Sequence, residues 1–80
     1  MSKLLTVEMD KDSVEIHFNN EGVDFLISAL ELLKQSKSNN HSHFMTNDFG
    51  GNELTNIKQN EDYKTNLVHH LKLFYWCENK

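Results

Sequence analysis

The chain has 80 residues, twelve carboxylates against eight cations, a formal charge of -4, and a hydrophobic share of 38%, enough for one modest core. That size excludes a two-domain enzyme with an interdomain cleft, a complete Rossmann domain, a TIM barrel and a protein kinase. All eight cations are lysines, scattered along the chain, and without arginine or a basic stripe nucleic-acid binding is not expected.

Leu5, Val7 and Met9 alternate with Leu4, Thr6 and Glu8, which predicts a half-buried strand over 4–9. Residues 10–13 are a turn by composition, lacking the glycine and the later bidentate glutamate of a calcium loop. Val14, Ile16 and Phe18 face one way and Glu15 and His17 the other, giving a second strand antiparallel to the first. Asn19 and Asn20 offer an N-cap, with Glu21 and Asp24 in the first turn of a helix that runs to about Ser36. Val23, Leu26, Ile27, Leu30 and Leu33 fall at helical spacing, and Phe25, Ala29 and Leu32 widen the stripe, as suits a helix lying across a sheet. After a polar loop at 37–40, residues 41–46 predict a third strand, with His41, His43 and Met45 on one face and Ser42, Phe44 and Thr46 on the other.

Residues 47–53 are too polar and glycine-rich for a regular element. The stretch 54–59 fits a short strand or a helical turn equally, and 60–62 marks another turn. The strongest β pattern is at 63–77. There Leu67, Leu71, Leu73 and Tyr75 can pack under the helix, while Val68, Phe74 and Trp76 face away around His70 and Lys72. The order predicts a single α+β domain over 1–80, a small, mainly antiparallel sheet of four to five strands with one helix packed on one face.

No run approaches the ~20 apolar residues of a membrane span, so no membrane partner is expected. The first residues lack the apolar run of a signal peptide, and the lone Cys77 allows no internal disulfide. The cytoplasm is the expected compartment.

Asp48-Phe49-Gly50 coincides with the kinase magnesium triplet but has none of its companions. Gly50-Gly51 lacks the context of a phosphate loop, and reads as a pair that permits positive φ. Asp48, Phe49 and Glu53 beside that backbone have the character of a contact loop. His41 and His43 share a strand face, which His69 or His70 could join, with Asp48, Glu53 or Cys77 as further zinc ligands. Their spacing is no metal signature, so neither a metal nor any other cofactor is expected. A domain this small has little depth for a water-excluding pocket, and Cys77 reads as an inert thiol near a fraying end.

The run 41–55, His-Ser-His-Phe-Met-Thr-Asn-Asp-Phe-Gly-Gly-Asn-Glu-Leu-Thr, resembles the central motif of the immunity protein 32 family. These small α+β proteins are thought to neutralise toxins of bacterial polymorphic toxin systems. The resemblance rests on His43, Met45-Thr46, Asp48-Phe49, Gly50-Gly51 and Glu53-Leu54. It departs from the pattern at Phe49, where tryptophan is expected, and at Asn47, where proline or an acid would be ordinary. The resemblance implies a non-enzymatic protein whose partner is a cognate protein toxin. On that reading the 47–53 loop makes the contact, with Asp48 and Glu53 as charges, Phe49 as anchor, Gly50 and Gly51 shaping the backbone, and His43 and Trp76 on the same surface. Two alternatives stay open: a self-associating homodimeric module that uses the uncovered sheet face, and a small metal-dependent enzyme built on His41, His43 and His69 or His70.

Overall fold

A computed structural model describes residues 2–61 and 64–78. In chain order it contains β1 (Leu5–Met9), β2 (Val14–Phe18), α1 (Asn20–Lys34), β3 (Asn40–Met45), a 3-10 turn (Asn47–Phe49), β4 (Asn66–Leu67) and β5 (His70–Tyr75). The class is α+β, as expected. The single sheet expected from the pattern is instead two antiparallel sheets, one ordered β2-β1-β4 and the other β3-β5.

The division occurs at Val68 and His69, inside what reads as one long strand. The Val68 N–H donates to the Val7 carbonyl at 2.8 Å, while the His69 carbonyl accepts the Thr46 N–H at 3.0 Å. Neighbouring residues thus serve different sheets. The break also shifts the alternation by one, so that Val68, expected on the outer face, packs against the core with Leu71 and Leu73. Of the predicted strand, Tyr63 lies outside the described residues.

β1 is the central strand, and Leu5, Thr6, Val7 and Glu8 are all buried. Leu5 and Val7 form the core with Phe44 and Leu54, joined by Phe25, Leu26 and Ala29 of α1. The Phe25 and Phe44 rings lie 5.4 Å apart, which seats the helix on β3. Asn19 fixes the helix start. Its Oδ1 accepts the N–H of Gly22 and of Leu4, each at 2.9 Å. Gly22 is buried so tightly against Leu4 that a Cβ there would overlap the Leu4 carbonyl. The helix buries less of its broad stripe than expected, and Ile27, Leu30 and Leu32 stay exposed.

The other face of β1 is covered by chain without regular structure. Residues 54–59, predicted as strand or helical turn, are neither. Side chains and isolated backbone bonds hold them instead. The Thr55 N–H donates to the Leu5 carbonyl at 2.7 Å, and the Thr6 hydroxyl to the Ile57 carbonyl at 3.2 Å. Glu8 is fully buried there. Its Oε2 accepts the N–H of Gln59 at 2.7 Å and of Asn60 at 3.2 Å, and its Oε1 accepts the Thr65 hydroxyl at 3.0 Å. His17 Nε2 stands 3.7 Å away. Burial pushes the Glu8 carboxyl up, but the N–H groups of Gln59 and Asn60, the Thr65 hydroxyl and nearby His17 outweigh it and hold the group below its ordinary value.

Because the folded value lies below the unfolded one, this stabilisation is complete above the ordinary carboxylate range and is lost as pH falls through the folded value. Glu8→Gln places an amide donor where an acceptor is required and is expected to cost about 2 kcal/mol in urea unfolding at neutral pH. The variant should also lose less stability than the wild type on acidification. An equal acid dependence in both would show that Glu8 does not carry it.

Candidate partner-binding surface

The loop after β3 is built from short-range bonds. The Thr46 carbonyl accepts the N–H of Phe49 and of Gly51, each at 3.0 Å, and the Asn47 carbonyl accepts the Gly50 N–H at 3.1 Å. Gly50 ends the 3-10 turn at φ +91°, in the left-handed region that favours glycine. Gly51 then passes so close to β3 that a Cβ would lie 2.7 Å from the Met45 Cβ and 2.8 Å from its carbonyl oxygen. Both glycines are therefore required, one for its conformation and one for the close approach.

Glu53 closes the loop. Its Oε1 accepts the Met45 N–H at 2.9 Å, and the Leu54 N–H donates to the Met45 carbonyl at 3.1 Å. The carboxylate expected as a second charge contact is half-buried and committed at this oxygen to holding the loop on β3.

Asp48 and Phe49 project outward from that frame. Phe49 is 57% exposed, and its ring lies flat on His69, centroids 5.0 Å apart and planes within 4°. His69 is itself held, with Nδ1 2.7 Å from the Thr46 hydroxyl and 3.8 Å from Asp48 Oδ2. By sequence His69 stands out as a candidate metal ligand. Its place as the support under Phe49 depends on the break between β4 and β5, which no local pattern marks. Met9, Phe49, Leu67, Val68, His69 and His70 border an open groove of about 510 Å³ beside the loop.

From this groove a row of rings crosses the outer face of β3 and β5. His70 Nε2 lies 2.8 Å from His43 Nδ1. The His43 ring meets His41 edge-on at 4.8 Å, His41 stacks on Phe74 at 5.5 Å, and Phe74 on Trp76 at 6.5 Å. Trp76 is 71% exposed. The face predicted for His41, His43 and Met45 is thus present, and of the two neighbouring histidines His70 joins it. Phe49 borders the groove with His70, and the row of rings leads from His70 through His43 to Trp76, while Asp48 stands beside His69. His43 is exposed, but loss of water from its ring among its neighbours, then the nearby His41, His70 and Lys72, lower its pKa and favour its neutral form.

Among the described residues, the groups that converge as a metal would require are Glu8, Glu15 and His17, not the histidines of this surface. Both Glu8 oxygens already accept hydrogen bonds, and Glu15 accepts from the Asn60 amide at 3.2 Å. Cys77, expected near a fraying end, is buried, and its N–H donates to Asn39 Oδ1 at 2.8 Å. Among the described residues no helix is long and apolar enough to cross a membrane.

Glu53→Ala leaves the Met45 N–H without its acceptor and is expected to lower stability by about 1–2 kcal/mol, while Glu53→Gln, which keeps an oxygen there, should recover most of it. Thermal unfolding of the pair is the measurement, and equal loss in both would assign the effect to charge. Comparison with protein-family models, with curated proteins and with solved structures finds no match to this chain.

Proposed function

We propose that this chain is an immunity-type binding protein that neutralises a cognate protein toxin in the cytoplasm by occupying it through the 47–53 loop. The observation that carries the reading is the display of Asp48 and Phe49 on a backbone already fixed by Thr46, Gly50 and Glu53. A contact loop held in one conformation before binding loses little entropy on association. An exposed aromatic ring beside a carboxylate suits a partner with a basic, apolar-lined concavity, and the overall charge of -4 favours the same encounter. The row of rings from His70 to Trp76 widens the contact area, since aromatic side chains are common anchors at interfaces. The resemblance of 41–55 to the immunity protein 32 motif supplies the toxin as the partner class.

Where a toxin gene lies beside this one, the test is protection of cells that express it. The wild-type chain is expected to protect. The double variant Asp48→Lys, Phe49→Ala should lose protection while keeping its circular dichroism and melting temperature. Glu53 is left unchanged because altering it would disturb the loop itself. Full protection by the folded double variant would move the contact elsewhere, and failure of the wild type to protect would end the immunity reading.

A further inference from the structure

β2 is an edge strand, with β1 on one side and, among the described residues, no strand on the other. The hairpin fixes which of its backbone groups face outward. The Asp10 N–H donates to the Ser13 carbonyl at 3.0 Å, and pairing continues through Met9↔Val14, Glu8↔Glu15, Val7↔Ile16, Thr6↔His17 and Leu5↔Phe18. Hydrogen-bonded and non-bonded pairs alternate along an antiparallel ladder. Glu15 and His17 therefore turn their N–H and C=O groups to β1, and Val14, Ile16 and Phe18 turn theirs outward. β1 agrees, since the carbonyls of Leu5 and Val7 point away from β2 and accept from Thr55 and Val68.

The outward residues also carry apolar surface. Val14, Ile16 and Phe18 lie on the same side of the sheet as the core residues Val7 and Leu5, yet are 62%, 44% and 49% exposed. A free edge with apolar side chains is a template for strand addition. Its sequence is also complementary to its own reverse: apolar Val14, acidic Glu15, apolar Ile16, basic His17, apolar Phe18.

That symmetry selects a partner and a register. If β2 meets β2 of a second copy with the dyad at Ile16, then Val14 lies opposite the partner's Phe18 and Ile16 opposite the partner's Ile16. All of these pairs are at hydrogen-bonding positions, where each exchanges N–H and C=O. Glu15 lies opposite the partner's His17, and His17 opposite the partner's Glu15, which sets carboxylate against imidazole on the other face, the same two groups that meet within one copy at 3.0 Å. Moving the dyad to Glu15 or to His17 sets like groups against each other.

We infer that this chain forms a homodimer by antiparallel pairing of β2 with β2 of a second copy, centred on Ile16. The two three-stranded sheets then run on as one, with both helices on the same side, because residues paired across a ladder share a face. The interface is isologous and closed, so association stops at two copies. β4, beside which the Phe49 groove opens, is at the opposite edge of the sheet, so the 47–53 loop stays free in the dimer.

Sedimentation velocity on the full chain tests this, with a species of twice the chain mass expected. Ile16→Pro removes the outward N–H at the dyad and leaves the bonds to β1 intact, a placement that edge strands accept. Val14→Lys changes an exposed side chain opposite the partner's Phe18. Each should halve the mass with unchanged circular dichroism, and Trp76→Ala should leave the dimer as it is. If Ile16→Pro fails to fold, Val14→Lys decides the question. A monomeric wild type at the highest soluble concentration, or a dimer that survives Val14→Lys, overturns the inference. Loss of the dimer in Trp76→Ala alone does so too, and assigns association to the face of β3 and β5. Toxin protection is a separate readout, so failure of either proposal can be told from failure of the other.

Discussion

The buried carboxylate of Glu8 is the interaction on which the rest of the fold depends. A chain this short has few apolar residues with which to cover both faces of a central strand. The helix and β3 cover one face of β1. The other carries Thr6 and Glu8, and what lies over it is a segment with no ladder of its own. Such a segment stays in place only if something within the protein satisfies its backbone. Glu8 does this for Gln59 and Asn60, and reaches Thr65 just before β4 begins. An ionised group in that position is tolerable because each of its oxygens is engaged; among the described residues no buried side-chain nitrogen or oxygen lacks a partner.

This use of a charge in place of a hydrophobic layer explains which parts of the fold are legible in the sequence. The β1–β2 hairpin, the Asn19 cap and the faces of β3 follow from local rules of alternation and capping, and all are present. Glu8 reads as solvent-facing by alternation, since its burial is decided by residues more than fifty positions away. Val68 fails for a related reason: a strand that changes partners midway keeps its β composition, so nothing local marks the change. A broad apolar stripe on α1 suggests a helix across the whole sheet, but Phe25 commits the helix to Phe44 and leaves β2 half open.

The candidate site shows the same mixture. Asp48, Phe49 and the two glycines are conspicuous as a loop, and their exposure follows from composition. The division of labour between the two carboxylates does not. Asp48 projects, while Glu53 folds back on Met45, and only the close passage of Gly51 beside β3 makes that possible. The outer face of β3 and β5 is open because the one helix is spent on the inner face. Its rings are therefore free to contact one another and whatever approaches them.

The break at Val68 and His69 also has a consequence for the order in which the molecule is made. β1 leaves the ribosome well before β4, its second neighbour in the sheet, and Glu8 finds Thr65 across 57 positions of sequence. Until that late segment emerges, the central strand has only the β2 hairpin and α1 for company. Contacts this distant in sequence slow the search for the native state. A hairpin and a helix assembled early must wait, partly uncovered, for β4 and β5 to close both sheets together.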